Sequence, residues 1–272
     1  MIMSRTLPIY AVLTAVSVLL LAPLILTLFT AFKPPAQIAE APWLLPDPPV
    51  LTNFATAWSE GRFSQYFLNS VIISTVDVLI MVPLASMTAY GLVFLNIPGR
   101  RSLLLLFLAG LIVPPVAIIL PLYTTVRDFG LVNTHLGVIL ADVALALPLF
   151  LFLMYAFFVK LPKELHDAAK IDGAGELRTF WSVMLPLAKP AVITVALLEF
   201  LFSWNDLLLR LVFLTTDSLR TLTVGLLFFQ GTMTRNVAGI TAAAVIMAIP
   251  IVVLFLTFQR HFMQGMTAGA VK

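Results

Sequence analysis

Long uninterrupted runs of apolar residues dominate the hydrophobic pattern of this chain. Six of them lie at about residues 8–30, 66–92, 103–126, 136–159, 190–212 and 237–258. Each is long enough for an α-helix to cross about 30 Å of hydrocarbon. None alternates apolar and polar residues as a barrel strand does. The pattern therefore predicts an all-α polytopic membrane protein with six transmembrane helices, in a single domain that covers residues 1–272.

The composition supports a membrane protein and excludes several other classes. Of the 272 residues, 61% are hydrophobic and 11% are charged, whereas a soluble domain is about 45–50% apolar and about 25% charged. A water-soluble enzyme is therefore excluded. Cysteine is absent, which excludes a thiol nucleophile and a thiolate metal site. The sequence contains no G-x-x-x-x-G-K-[ST] phosphate loop, so any ATP hydrolysis that drives this chain needs another polypeptide.

Lysine and arginine are distributed unevenly between the two sides of the predicted membrane. With the N-terminus inside, the inner segments carry ten of them and the outer segments five. The positive-inside rule therefore places both termini in the cytoplasm, and the net charge of +3 indicates a lipid bilayer rather than a nucleic acid as partner. The ten are Arg5, Arg100, Arg101, Lys160, Lys163, Lys170, Arg178, Lys189, Arg260 and Lys272, and the five are Lys33, Arg62, Arg127, Arg220 and Arg235.

The inner segment 160–189 is longer than the connection between two adjacent helices needs to be. Pro162 suits the start of a short helix, and Gly173 suits its end. Beyond that glycine, apolar residues recur with the spacing of an amphipathic helix. These are Leu177, Phe180, Trp181, Met184 and Leu185. On these residues alone, a helix that docks another protein and a hairpin that lies on lipid headgroups are equally well supported.

The same segment resembles the "EAA" loop of binding-protein-dependent ABC importer permeases. Two alanines are followed after four residues by a glycine, and a Leu-Pro pair comes twelve residues later. In that family the loop docks into a groove on a cytoplasmic ATPase subunit. Asp167 stands where the family usually has glutamate, which keeps the charge and shortens its reach. The resemblance implies that the ATPase-coupling residues are Glu164, Asp167, Ala168, Ala169, Asp172, Gly173, Leu185 and Pro186, with His166 as a solvated contact beside them.

Four further segments resemble the six-helix subunit of the sugar-importer branch: Asn69-Ser70, Ala89-Tyr90, Trp204-Asn205-Asp206 and the tail Gln259–Lys272. The resemblance implies a type I importer fold in the cytoplasmic membrane of a bacterium or archaeon. It also implies three partners: a homologous second permease, a dimer of cytoplasmic ATPase subunits and an extracytoplasmic sugar-binding protein. ATP and Mg are expected on the ATPase. No cofactor and no catalytic or metal site is expected on this chain, and the tail is expected to reach toward the ATPase pair.

Ionisable residues inside the predicted spans mark interior faces, because each costs about 2.5–3.5 kcal/mol to insert. They are Asp77, Asp142, Glu199 and Asp206. They could line a wet path for a sugar, or they could satisfy one another between helices. Asp77 has no cation near it in sequence, so we expect it to be protonated or paired with the second permease. The candidate path residues are Asn69, Glu199, Trp204, Asn205 and Asp206.

The sequence leaves open one alternative for the class of transporter and one for its substrate. A proton-coupled secondary transporter could use the four acids, but the chain shows no convincing internal repeat, and such a carrier does not need a docking loop. A glycerol-phosphate-type polyol ester would favour arginines that face the path, and Arg210 is the one candidate near a predicted span. This single candidate favours neutral sugars, and the resemblance to the sugar-importer branch then implies import of a disaccharide or oligosaccharide.

Overall fold

The computed structural model describes residues 3–60, 62–232 and 237–270, and this part of the chain is helical, with no β-strand. Arg235 and Lys272, both counted in the charge distribution, lie outside the described residues, as does Val271 of the tail. The helices are α1 (Met3–Ala31), α2 (Pro35–Glu40), α3 (Thr52–Glu60), α4 (Phe63–Phe94), α5 (Arg100–Ile112), α6 (Pro115–Asp128), α7 (His135–Phe158), α8 (Lys163–Ile171), α9 (Glu176–Thr179), α10 (Leu185–Leu187), α11 (Lys189–Asn205), α12 (Leu208–Phe213), α13 (Leu222–Thr232) and α14 (Val237–Ala270). A π-helical turn (Phe180–Met184) joins α9 to α10, and a 3₁₀ turn (Asp217–Leu219) follows α12.

Within the described residues, four helical segments are long and apolar enough to cross a membrane. Two further pairs pass the same criteria together but are bent, α5 with α6 by 106° and Glu176–Leu187 with α11 by 81°. If each bent pair is one span, the total is six, which is the number that the sequence predicts. The four unbroken segments are Ile9–Ala31, Phe63–Phe94, His135–Phe158 and Val237–Gln259.

The third and fifth predicted spans are not continuous helices. Val113 and Pro114 are extended between α5 and α6, because two successive prolines supply no N–H to the helix and Pro115 suits the first turn of a new one. The fifth span, predicted to run to residue 212, ends at Asn205, where Asp206 turns to an extended conformation. α12 then starts a separate short helix. Interior proline and polar residues are therefore the points at which these apolar runs change direction.

The chain divides into two compact units, Met1–Gln65 with Gly225–Pro250 and Tyr66–Val224 with Ile251–Lys272. In the first unit, the segment after α1 is fixed by buried polar groups. The Nζ of Lys33 donates to the carbonyl oxygens of Ala41 and Pro42 at 3.1 and 2.7 Å. The amide of Asn53 donates to the carbonyl oxygens of Ala31 and Lys33 at 2.9 and 2.8 Å. These bonds hold the proline-rich outer segment in one conformation.

In the second unit, α4, α7 and α11 share one hydrophobic core. The core includes Met81 and Ala85 of α4, Phe150 and Met154 of α7, and Val195 of α11. Phe180 and Met184 of the π-helical turn belong to the same core. The segment between α7 and α11 is therefore packed directly against the long helices rather than suspended from them.

Candidate functional site

The helix α8 ends in a tight corner at Gly173. This residue has φ +81°, in the left-handed region that glycine adopts without steric cost. The N–H of Gly173 donates to the carbonyl of Lys170 at 3.1 Å, and the N–H of Ala174 donates to the carbonyl of Ala169 at 3.0 Å. These bonds satisfy the last carbonyls of the helix. The chain therefore leaves α8 in a fixed direction.

One face of α8 is open to solvent and combines a small residue with carboxylates. Ala168 is exposed there, and the side chain of Ile171 projects with 86% of its surface exposed. Ala169, expected on the docking face, is instead buried against the chain itself, because consecutive helical residues point about 100° apart and cannot share one face. The exposed acidic residues of α8 and its C-cap are Glu164, Asp167 and Asp172.

The inner face of α8 is fastened to α4 through Glu176. The hydroxyl of Tyr90, near the end of α4, donates to Glu176 Oε2 at 2.7 Å, and Lys170 Nζ lies 2.8 Å from Glu176 Oε1. His166 Nε2 lies 3.3 Å from the same carboxylate, and its ring stacks on Phe94 at 5.2 Å. The expectation of a solvated His166 was wrong, because the residue is 8% exposed.

The four side chains that meet at this carboxylate, Tyr90, His166, Lys170 and Glu176, are called the Glu176 hub below. The bonds from Lys170 and Tyr90 lower the pKa of Glu176 from 4.5 to about 2. The carboxylate is therefore ionised at neutral pH. It connects α8 to the membrane-crossing helix α4 through charge-assisted hydrogen bonds, which are stronger than neutral ones.

The second predicted amphipathic helix is divided by the π-helical turn, and its apolar residues do not form one stripe. Phe180 and Met184 are buried, whereas Leu177 is 66% exposed and Trp181 is 50% exposed. Leu177 and Trp181 therefore do not share one buried face with Phe180 and Met184, as the predicted amphipathic helix required. A π-helical turn changes the angular step per residue, so the α-helical spacing no longer places all of the apolar residues on one side. Of the Leu-Pro pair, Leu185 packs against the core and Pro186 is exposed.

A cluster of charges is buried among α4, α7, α11 and α12, with Arg210 at its centre. Arg210, which is 1% exposed, bonds to Asp142 and lies 3.2 Å from Asp206 Oδ2 and 3.5 Å from Asp77 Oδ2. It also donates to the hydroxyl of Ser203 at 2.8 Å. The cation that Asp77 lacks in its local sequence is thus Arg210 of the same chain, a third possibility beside the protonated state and the pairing with a second permease that the sequence suggests.

Two of the five candidate path residues are used in contacts within the chain. The amide of Asn69 donates to the carbonyls of Ser218 and Arg220, both at 2.9 Å. Trp204 is 1% exposed and its ring contacts those of Phe67 and Phe200. Both residues therefore hold α4 and α11 to their neighbours and are closed to a solute.

The other three candidates border two open cavities. Glu199 and Asp206 line one of about 270 Å³, together with Asp142 and Ser203. Oε2 of Glu199 has no hydrogen-bond partner among the described residues. Asp206 and the exposed Asn205 line a second cavity of about 500 Å³. The lining residues of neither cavity include a lysine or arginine.

Sequence reasoning missed the Glu176 hub and the acids around Arg210 because their members are far apart along the chain. Tyr90 and Glu176 are separated by 86 residues, and Asp142 and Arg210 by 68. The sequence could have predicted the cluster from its charges, because one arginine near a predicted span would be expected to pair with the four acids inside the spans. For the hub there was only a glutamate that follows the glycine corner.

The described part of the chain is helical, and four to six of its segments are apolar enough to cross a membrane, which defines a multi-pass membrane protein. Comparison with protein families agrees with this class. Residues 81–268, more than half of the chain, match the family described as binding-protein-dependent transport system inner membrane component. The chain belongs to this family and is a multi-pass component of the inner membrane.

Relatives and solved structures support the same assignment. The chain is 36% identical over 265 residues to the diacetylchitobiose uptake system permease protein NgcG of Streptomyces coelicolor, covering 97% of this chain and 88% of the relative. It is 35% identical over 252 residues to the melibiose/raffinose/stachyose import permease protein MelC of Bacillus subtilis, covering 92% and 91%. Its fold matches a crystal structure of a bacterial ABC transporter involved in the import of the acidic polysaccharide alginate, with TM-score 0.80, 24% identity and coverage of 95% of this chain and 98% of that one.

Proposed function

We propose that this chain is one permease subunit of an ATP-driven, binding-protein-dependent importer for a disaccharide or oligosaccharide. It provides half of the translocation path in the cytoplasmic membrane of a bacterium or archaeon. A homologous second permease provides the other half, and an extracytoplasmic sugar-binding protein delivers the solute. The chain itself binds no cofactor. ATP and Mg are used by a pair of cytoplasmic ATPase subunits.

The exposed face of α8 is the observation that carries the proposal. Ala168 allows close approach of another surface, and Ile171 supplies an apolar knob that is 86% exposed. Exposed apolar residues within a polar rim are typical of a protein interaction site. The rim here is acidic, formed by Glu164, Asp167 and Asp172. We therefore expect an ATPase groove with an apolar floor and basic residues at its edge.

The Glu176 hub provides the route from this docking face to the membrane. A displacement of α8 is transmitted through Lys170 and His166 to Glu176, and from Glu176 to Tyr90 of α4. Phe180 and Met184 carry the same displacement into the hydrophobic core that α4, α7 and α11 share. A packed core transmits such shifts because it is dense and resists compression.

The solute chemistry follows from the two cavities in the membrane. A sugar presents many hydroxyl groups, and Glu199, Asn205 and Asp206 offer carboxylate and amide groups to them. A phosphate ester needs a free cation, but Arg210 is already surrounded by three aspartates and is 1% exposed. The sugar named for each of the two permease relatives is a disaccharide or a larger oligosaccharide. We therefore propose an uncharged di- or oligosaccharide.

Reconstitution of the whole importer tests this function. The chain is co-expressed with candidate ATPase and second permease subunits from the same organism, and uptake of labelled disaccharides and oligosaccharides is measured in vesicles with and without ATP and the binding protein. ATP-dependent uptake of at least one neutral sugar supports the proposal. Uptake driven by a proton gradient without ATP, or uptake of phosphate esters alone, contradicts it.

Asn205→Ala in the same vesicles tests the path assignment, with Asn69→Ala as the matched control. Asn205 is exposed, and its amide donates to Leu201 of its own helix, so its loss changes the concentration dependence of uptake and leaves assembly intact. Asn69 bonds to another segment, so its loss lowers complex yield instead. The reverse pattern contradicts the assignment of Asn205 to the path.

A further inference from the structure

A third cavity lies at the cytoplasmic ends of the long helices and has no role in the function proposed above. Its volume is about 320 Å³. It is bounded by the end of α4, the first turns of α5, the last turns of α7 and the first residue of α8. Its lining residues are Leu92, Val93, Arg100, Arg101, Leu104, Tyr155, Val159 and Lys163.

Three of the lining side chains are cationic and none is acidic. No ion pair joins Arg100, Arg101 or Lys163 to any residue whose side chain the structure describes. The helix α5 begins at this cavity, and no side chain caps its first turn, so the positive end of its dipole adds to the same field. Three cations around one concavity attract an anion.

The remaining walls of the cavity are apolar and lie at the ends of the membrane-crossing helices α4 and α7. Leu92, Val93, Leu104 and Val159 form these walls. Tyr155 also lines the cavity, and tyrosine is enriched where apolar chains meet polar headgroups. A free phosphate ion would use the cations alone. A phospholipid uses both parts, because its phosphate meets the cations and its glycerol and first methylene groups meet the apolar walls.

We propose that this cavity binds the headgroup phosphate of an anionic phospholipid of the cytoplasmic leaflet. Basic pockets between membrane helices on the cytoplasmic side are suited to such headgroups. Lys163 is the first residue of α8, so the bound lipid holds the N-terminal end of the docking helix while the Glu176 hub holds its inner face. The lipid composition of the membrane thereby sets how firmly α8 is held when the ATPase moves it.

Lipid retention by the purified chain tests the proposal without any requirement for transport. The chain is purified from membranes in mild detergent and its bound phosphatidylglycerol is measured by native mass spectrometry. The variant Arg101→Gln/Lys163→Gln is compared with Arg178→Gln/Lys189→Gln, which removes the same charge from the same side of the membrane but outside the cavity. Each basic residue near an anionic surface contributes about a fivefold factor, so the cavity variant should bind about 25-fold more weakly.

Three outcomes overturn the assignment of this ligand. The first is equal retention of lipid by the two double variants. The second is equal retention of phosphatidylcholine and phosphatidylglycerol by the unmodified chain. The third is displacement of phosphatidylglycerol by millimolar inorganic phosphate, which would identify a phosphate site instead. A complex that binds the lipid and fails to import sugar would contradict the proposed function and leave the lipid site standing.

Discussion

At the scale of single residues, Glu176 shows how much a position can do without a sequence signal. In the sequence it follows a glycine corner, and nothing there distinguishes it from an ordinary solvent-facing charge. In the structure its carboxylate accepts hydrogen bonds from groups on α4 and α8. The pKa of Glu176 falls to about 2 because Lys170 and Tyr90 both bond to the ionised form. The residue is therefore a negative charge at neutral pH that lies between α4 and α8.

Replacing Glu176 with Gln should weaken coupling without unfolding the chain. Gln keeps an acceptor for the Tyr90 hydroxyl but loses the charge that faces Lys170, and a partly exposed pair of this kind contributes about 1 kcal/mol or less. We expect normal membrane insertion, with less sugar imported per ATP hydrolysed. Uptake and phosphate release are measured on the same vesicles. An unchanged ratio in Glu176→Gln shows that force does not pass through the hub.

The stability that Glu176 contributes should depend on pH in a defined direction. Its folded-state pKa is lower than the ordinary 4.5, so the stabilisation is complete above about pH 4.5 and is lost as pH falls through about 2. The difference in thermal unfolding between the natural chain and Glu176→Gln should therefore shrink on acidification below that ordinary value. A difference that grows as the pH falls contradicts the charge arrangement of the hub.

At Gly173, the effect of a substitution should depend on whether the new residue can adopt a positive φ and not on the size of its side chain. A Cβ added there meets no atom within 4 Å, so the obstacle is the positive φ, which costs an ordinary residue about 1–2 kcal/mol. Asn adopts this conformation more readily than a β-branched residue. We expect Gly173→Asn to retain most ATP-driven uptake and Gly173→Val to lose it at equal expression. Equal uptake by the two variants removes the corner from the mechanism.

At the scale of elements, the segment Glu176–Leu187 shows what the spacing of apolar residues can and cannot predict. The spacing of apolar residues located a helix at the correct place, since Glu176–Leu187 is helical. It assigned the faces incorrectly because Phe180–Met184 is a π-helical turn. The π-helical turn places Phe180 and Met184 in the hydrophobic core. The local pattern of apolar residues does not distinguish such a turn from an α-helical one.

Truncation of neighbouring aromatic residues measures this difference in burial. Phe180→Ala should cost about 3–5 kcal/mol, as expected for a buried phenylalanine, whereas Trp181→Ala should cost about 1 kcal/mol or less, as expected outside the core. Thermal unfolding of the purified variants in one detergent gives both values. Equal losses would mean that Trp181 is buried, as the uninterrupted helix predicts.

At the scale of the whole molecule, apolar length and charge bias were enough to predict six spans and the fold class. They were not enough to predict where a span bends. The helix breaks at the pair Pro114-Pro115, whereas the single prolines Pro83 and Pro148 lie inside unbroken helices. The buried cluster around Arg210 depends on contacts between α4, α7, α11 and α12 that only the folded chain creates. Long-range pairing therefore accounts for most of what the sequence leaves open.

The central claim is that the exposed face of α8 joins this permease to its ATPase. Ala168→Glu places a charge at the centre of that face, and Ala39→Glu makes the same change at an exposed position of α2, in the outer segment. A desolvated, unpaired charge weakens an interface strongly. The most direct measurement is the amount of ATPase that co-purifies with each well-inserted variant. A loss of about tenfold or more for Ala168→Glu, with none for Ala39→Glu, is the predicted result, and full co-purification with Ala168→Glu contradicts the account.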